Sequence, residues 1–427
     1  MKKTVLLIAA GFLYLSSFAQ DINKIINATE VERIERVLSA DDMQGRKPYT
    51  PGIEKAADFI AGEFKNSGLA YFKGLSSYRQ DFSKIRTKFI SASGNFDGQA
   101  LEAKNIVAFT TNPDIHINDQ SGYTKAYIRA GANFAPEAFK YIQEEKNVLV
   151  IVDTSHSKNF GRLTRFKRES FKSDRNVIFV LSATDPRTYD LAIHHELSEN
   201  KLFNVVGVIP GKSKPNEYVI FSGHYDHLGI GKPNAAGDSI YNGANDDAAG
   251  TTAVIMLSKY FSQLKNNERT IIFVAFTAEE SGGYGSRYFS QQMNPDQVVA
   301  MFNIEMIGTE SKWGTNSAYI TGYEKSDMGK ILQANLTKSR FKFEPDPYPD
   351  QKLFYRSDNA TLAALGVPAH TISTSKMDSE KFYHSQDDEI ETLDMNNMAE
   401  IIKAIAISSK SIVSGKDTPS RVAKENE

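Results

Sequence analysis

Apolar residues recur along this chain with two different periods, and the change of period divides it. Between residues 30 and 70 they fall at helical spacing. Glu30 to Leu38 reads as one helix, and Thr50-Pro51-Gly52 opens a second, Ile53 to Lys65, with Ala56, Ile60 and Phe64 on one face and Gly68 at its end. From 83 to 202 the texture changes to short β-like runs, such as Asn147 to Val152 and Asn176 to Leu181, set among polar loops. From Asn204 onward five apolar, β-branched runs (205–209, 218–222, 270–276, 299–307 and 367–372) alternate with helical patterns at 248–264, 326–338 and 395–412. Strands alternating with helices predict an α/β layered domain with a mixed, mostly parallel sheet. Binding residues of such sheets gather in the loops beyond the carboxyl ends of the strands. The expected organisation is therefore a catalytic domain of residues 20–82 and 203–415, interrupted by a β-rich module over 83–202 and followed by a flexible tail, 416–427.

The amino end follows another rule. Met1-Lys2-Lys3, an apolar run from Thr4 to Leu15 and then Ser17-Phe18-Ala19 have the order of a secretory signal peptide cut after Ala19. The run is short for a membrane span, so the expected product is secreted or periplasmic, with no stable membrane anchor. Composition narrows the chemistry further. The net charge of -2 gives no basic field for nucleic acid, and the basic stretch Arg162 to Arg175 reads as a solvated face. There is no cysteine, which excludes a disulfide framework, a Cys nucleophile and thiolate metal sites. Any metal must be held by His, Asp and Glu.

Such residues cluster beyond the predicted strands. His224, in Ser222-Gly223-His224-Tyr225-Asp226, has an imidazole able to bind a metal, with Asp226 placed to orient the ring. Asn245-Asp246-Asp247 precedes a helix, where an acid either caps the helix or bridges two metals. Glu279-Glu280 follows the apolar run 270–276, either as one ligand and one general base or as two solvated acids opening a helix. Glu305 lies in an otherwise apolar run, where a carboxylate needs a partner. His384 falls in Phe382-Tyr383-His384-Ser385, ahead of the last helical pattern. Two His and three carboxylates suit a pair of zinc ions sharing one carboxylate.

These motifs resemble the co-catalytic di-zinc exopeptidases, the family of bacterial leucyl aminopeptidase, aminopeptidase Y and glutamate carboxypeptidase II. The similarity extends to Asp42-Met43-Gln44-Gly45-Arg46, Thr50-Pro51-Gly52, Asn204-Val205-Val206-Gly207, Ser357-Asp358 and Gly366-Val367-Pro368. It implies the three-layer zinc-exopeptidase (aminopeptidase) fold, two Zn2+ ions and peptide substrates. His224 and Glu305 would hold one zinc, Glu280 and His384 the other, with Asp246 between them and Glu279 as general base. Asp226 would orient His224, the Asp246–Asp247 peptide would be cis, and Tyr383 would either donate to an oxyanion or only pack. The family usually has Asp where this chain has Glu305. The interrupting module sits where members carry a protease-associated or apical domain. An aminopeptidase is the expected activity. A carboxypeptidase using Arg356, a single-zinc glutaminyl cyclase and a catalytically dead binding protein are the alternatives.

Overall fold

The computed structural model describes residues 21–144 and 146–424. The expected signal peptide lies outside the described residues. The described residues form two compact units, one within residues 21–80 and 203–424, the other within residues 81–202.

The larger unit is built on one sheet. Its strands run in the order Lys342–Pro345, Ser317–Ile320, Ala369–Ser373, Val298–Ile304, Lys214–His224, Arg269–Phe276 and then residues 205–209, with Ala70–Tyr71 beyond. The pairs around Lys214–His224 are parallel, and those made by residues 205–209 and by Ser317–Ile320 with Ala369–Ser373 are antiparallel. Both faces are covered, and this is why the strands read as continuous apolar runs. Val205, Val219, Phe221, Ile271 and Phe273 point to one side and meet the helices Ala28–Leu38, Pro51–Asn66, Ala249–Leu264 and Met395–Ser408. Val206, Ile220, Ile272, Val274 and Phe276 point to the other and meet Phe289, Leu362 and Val367. Phe221 stacks on Phe261, Phe273 and Phe302 with ring centroids 4.8–5.7 Å apart, at the middle of the first layer.

Most expected elements form, with altered ends. The strand expected over 299–307 stops at Ile304, and Met306 then takes a left-handed conformation, φ +52°. Glu305 therefore leaves the strand instead of sitting within it. The helix expected over 326–338 is shorter, Met328–Asn335, and the final one ends at Ser408 with a separate turn, Lys410–Val413, after it.

The smaller unit has a four-stranded sheet in the order Ile106–Phe109, Val177–Leu181, Val148–Val152, Thr124–Ile128. One face packs on Ile115, Ile117, Leu191 and Ile193, and the other on Phe134 and Ala138 of the helix Phe134–Ile142. A helical layer thus accompanies the strands. Arg162, Arg165, Arg168 and Lys172 of its basic stretch are exposed.

Candidate active site

Three adjacent parallel strands of the larger unit end at one place. His224 is the last residue of Lys214–His224, Glu279 and Glu280 follow Arg269–Phe276, and Glu305 follows Val298–Ile304. Asp246 arrives on the turn that precedes the helix Ala249–Leu264, and its peptide bond to Asp247 is cis. His384 arrives on the segment between Ala369–Ser373 and Met395–Ser408. Ala278, Met306 and His384 all have left-handed backbones, with φ between +52° and +56°. Non-glycine residues in that region are strained by roughly 1 kcal/mol or more and gather at functional sites. Here each turns a side chain, or its neighbour's, into the cleft.

The side chains make two adjoining clusters with one carboxylate in common. His224, Asp246 and Glu305 form the first, and His227, Asp246 and Glu280 the second. Asp246 offers one oxygen to each. Its Oδ1 lies 3.2 Å from His224 Nε2, and its Oδ2 lies 3.3 Å from His384 Nε2 and 3.9 Å from His227 Nδ1. Glu280 reaches both other imidazoles, Oε1 at 2.9 Å from His227 Nδ1 and Oε2 at 3.1 Å from His384 Nε2. Glu279 is in neither cluster. Its backbone N–H donates to Asp226 Oδ1 at 3.0 Å. Asp226 was expected to accept from His224 through its carboxylate. The nearer acceptor of His224 Nδ1 is instead the backbone carbonyl of Asp226, at 3.1 Å, with Oδ1 at 3.8 Å.

Four residues complete the site, and the sequence reading assigned none of them a role. His227 shares the second cluster. Asp247 accepts backbone N–H bonds from His224, Gly250 and Met306, tying three loops together. Asp388 accepts the N–H groups of Asn245 and Asp246. Arg46 donates to the carbonyls of Leu38, Tyr225, Asn242 and Gly243. The His224-x-x-His227 spacing was a visible signal. The other three act through backbone groups, so the motifs that contain Asp247 and Arg46 stood out without revealing these roles.

The buried and unpaired groups of this site suit a cation. Burial, reinforced by Glu305, Asp358 and Asp226 against the opposing pull of His224, raises the Glu279 carboxyl well above its usual range. Burial likewise lifts Asp226 and Glu305 to about 7 and Asp358 to about 6. The carboxylates of Asp246 and Glu280 beside its ring raise His384 to about 10. Glu280 is held low by His227 and His384 in spite of its burial. His224 Nε2, both ring nitrogens of His227, Glu280 Oε1 and His384 Nε2 are buried without a hydrogen-bond partner. Buried polar atoms are normally satisfied. Orphaned imidazole and carboxylate lone pairs converging at 2.9–3.3 Å fit metal ions, since tetrahedral zinc donors lie roughly 3.3–3.4 Å apart.

Beside the clusters a pocket of about 80 Å³ opens to solvent. Its lining includes Glu279, Glu305, Met306, Tyr319, Arg356 and Tyr383. The Tyr383 ring stacks on His384 at 3.8 Å, and burial raises its hydroxyl above the usual phenol range.

A three-layer α/β unit with two adjoining clusters able to hold metal at its strand ends is thus defined. Residues 204–408 match the sequence model of peptidase family M28. Over these residues the chain is similar to that family. A probable leucine aminopeptidase from Trichophyton verrucosum is 28% identical over 210 residues, 47% of this chain and 54% of the relative. The chain thus spans about half the length of the curated relatives it matches. Among solved structures, a zinc aminopeptidase from Bacillus subtilis has a TM-score of 0.55 at 16% identity, covering 94% of this chain and 99% of its own. An aminopeptidase from Aneurinibacillus sp. strain AM-1 has 0.53 at 16%, covering 94% and 96%. The fold is the one these enzymes share.

Proposed function

We propose that the protein is a zinc-dependent exopeptidase that removes amino-terminal residues from peptides. The carrying observation is the division of labour among the carboxylates. Asp246 turns one oxygen to each cluster, while the adjacent buried Glu279 stays outside both. His224 and Glu305 would hold one zinc, Glu280 and His384 the other, and Asp246 both. Bound there, a zinc pair supplies a Lewis acid for the scissile carbonyl and lowers the pKa of water toward neutrality.

The chain's own groups perform the proton transfers. Glu279 takes the proton of the attacking water and delivers it to the departing amine, as a general base and then a general acid. Its raised proton affinity suits the second task, and Asp226 fixes its backbone. Tyr383 keeps its proton to high pH and stands at the pocket as a donor to the developing oxyanion. Among the pocket's lining residues the carboxyl groups Asp246, Glu279, Glu280 and Glu305 outnumber the one cation, Arg356. With three of those carboxyl groups taken by the proposed zinc ions, Glu279 and Arg356 are the charged groups left to meet a substrate terminus, and the choice of an amino end rests on the similarity to leucine aminopeptidases. The leader-like residues 1–19 support export, and the compact unit 81–202 would be a protease-associated or apical-like module.

Amino-acid amides and peptides with free and blocked amino ends test this reading. Chelator-sensitive release from free amino ends only is expected, and cleavage only of blocked peptides with a free carboxyl end would make it a carboxypeptidase. Glu279→Gln should lower kcat by about 10²–10⁴-fold with metal content unchanged. Near-wild-type turnover in that variant refutes the assignment of the base. Cyclisation of amino-terminal Gln without amide hydrolysis would show a glutaminyl cyclase.

A further inference from the structure

We propose that His227 is a direct metal ligand, the anchor of the ion held by Glu280 and Asp246. That position then has four protein donors, His227, Glu280, His384 and Asp246, and its neighbour three. The inference rests on the metallopeptidase reading above but adds a residue that reading does not use.

Both ring nitrogens of His227 are buried and have no hydrogen-bond partner. Yet Nδ1 stands 2.9 Å from Glu280 Oε1 and 3.9 Å from Asp246 Oδ2. A close approach to a carboxylate oxygen without hydrogen-bond alignment is the geometry of two donors facing a common cation. An imidazole that merely supported Glu280 from outside would align its N–H with the oxygen.

The two imidazoles of this position are held differently. His227 is almost wholly buried three residues beyond a central strand, and its backbone N–H donates to Arg46. Gly243 lies against its ring so closely that a Cβ there would come within 2.5 Å. His384 keeps about a third of its side chain exposed, on a segment of turns. The rigid, buried donor sets the position, and the exposed one closes it. Loss of His384 therefore leaves three donors, and loss of His227 leaves the ion on two carboxylates and an exposed ring.

Metal stoichiometry and affinity test this without reference to activity. Purified full chain is stripped with chelator and titrated with Zn2+, the bound ions being counted by native mass spectrometry. In His227→Ala the affinity for one ion should fall by more than the roughly 10–100-fold expected of an outer-sphere partner. In His384→Ala both ions should remain, one of them bound more weakly. Wild-type affinity for both ions in folded His227→Ala overturns the proposal. X-ray absorption at the zinc edge of the wild-type protein decides the matter should that variant not fold. Three imidazoles shared over two ions are expected, and two would overturn it. A chain that binds two ions through three imidazoles but cleaves no peptide would sink the exopeptidase reading and leave this one standing.

Discussion

A guanidinium in the interior shows how much a single residue organises here. Arg46 is wholly buried, and its donors reach Leu38 at 2.7 Å, Tyr225 at 2.9 Å, Gly243 at 2.8 Å and also Asn242. It therefore joins a helix end to the loop after His224 and to the turn that carries Asp246. Five donors in a rigid plane can satisfy four carbonyls together, whereas an ammonium has three donors at a single point. Arg46→Lys should therefore cost about 2–5 kcal/mol in denaturant unfolding and weaken metal binding as the two loops separate. Retention of both stability and metal affinity would show that the loops hold themselves. The Asp42-to-Arg46 segment stood out in the sequence, but this role did not. Its partners Tyr225 and Gly243 are 179 and 197 residues away and are contacted through their backbones. The candidate metal-binding residues were legible for the opposite reason, because reactive side chains directly after apolar runs are anomalous wherever the fold places them. His227 escaped because one His in its motif already satisfied the expected ligand set.

The junction of helix and strand governs the site at the scale of elements. The helix Ala249–Leu264 lies against the sheet with nearly every residue buried, and its first turn meets the end of Val298–Ile304. Contact is closest at Gly250, where a Cβ would stand 2.1 Å from the carbonyl of Ile304 and 2.4 Å from both carboxylate oxygens of Asp247. No rotamer relieves a clash with backbone. Gly250→Ala must push apart the helix that follows Asp246 and the strand that precedes Glu305. A stability loss of about 1–3 kcal/mol is expected, with a larger fall in metal affinity than in stability, since donors of both clusters move. Calorimetry of the metal-free and metal-loaded variant separates the two effects, and an unchanged affinity would show that the junction does not set the ligand geometry. Periodicity found this helix and the strands around it. It could not find where Val298–Ile304 stops, because that end is set by the left-handed Met306 and by the bond from its N–H to Asp247, both tertiary in origin.

All the side chains proposed to bind metal belong to the larger unit. Chelation should accordingly destabilise that unit and spare residues 81–202. The pH dependence of this loss has a definite sign. In the ion-free chain Asp226 and Glu305 titrate near 7 and Asp358 near 6, and Glu279 is raised as well, all chiefly through burial. Folded acids of this kind retain protons that the unfolded chain has released, so stability falls as pH rises from about 4 to 7. His224 and His384 are raised too, so their stabilisation is complete below the ordinary imidazole range and drains away as pH rises toward the folded value, about 10 for His384. Asp246 and Glu280 are lowered, so what they add is lost only as pH falls below the ordinary carboxylate range. Between pH 5 and 8 the terms agree, and the ion-free unit should lose stability on the order of a few kcal/mol. Bound ions reverse the sign, because protons compete for the same lone pairs and metal affinity grows as they leave. Hydrogen exchange reads the two units separately. With chelator, protection of the strand Lys214–His224 should weaken from pH 5 to 8 after correction for the intrinsic exchange rate. With saturating zinc it should strengthen, while Val148–Val152 follows neither trend. If protection of Lys214–His224 showed the same pH dependence with and without zinc, the buried acids would not be serving as a cation site.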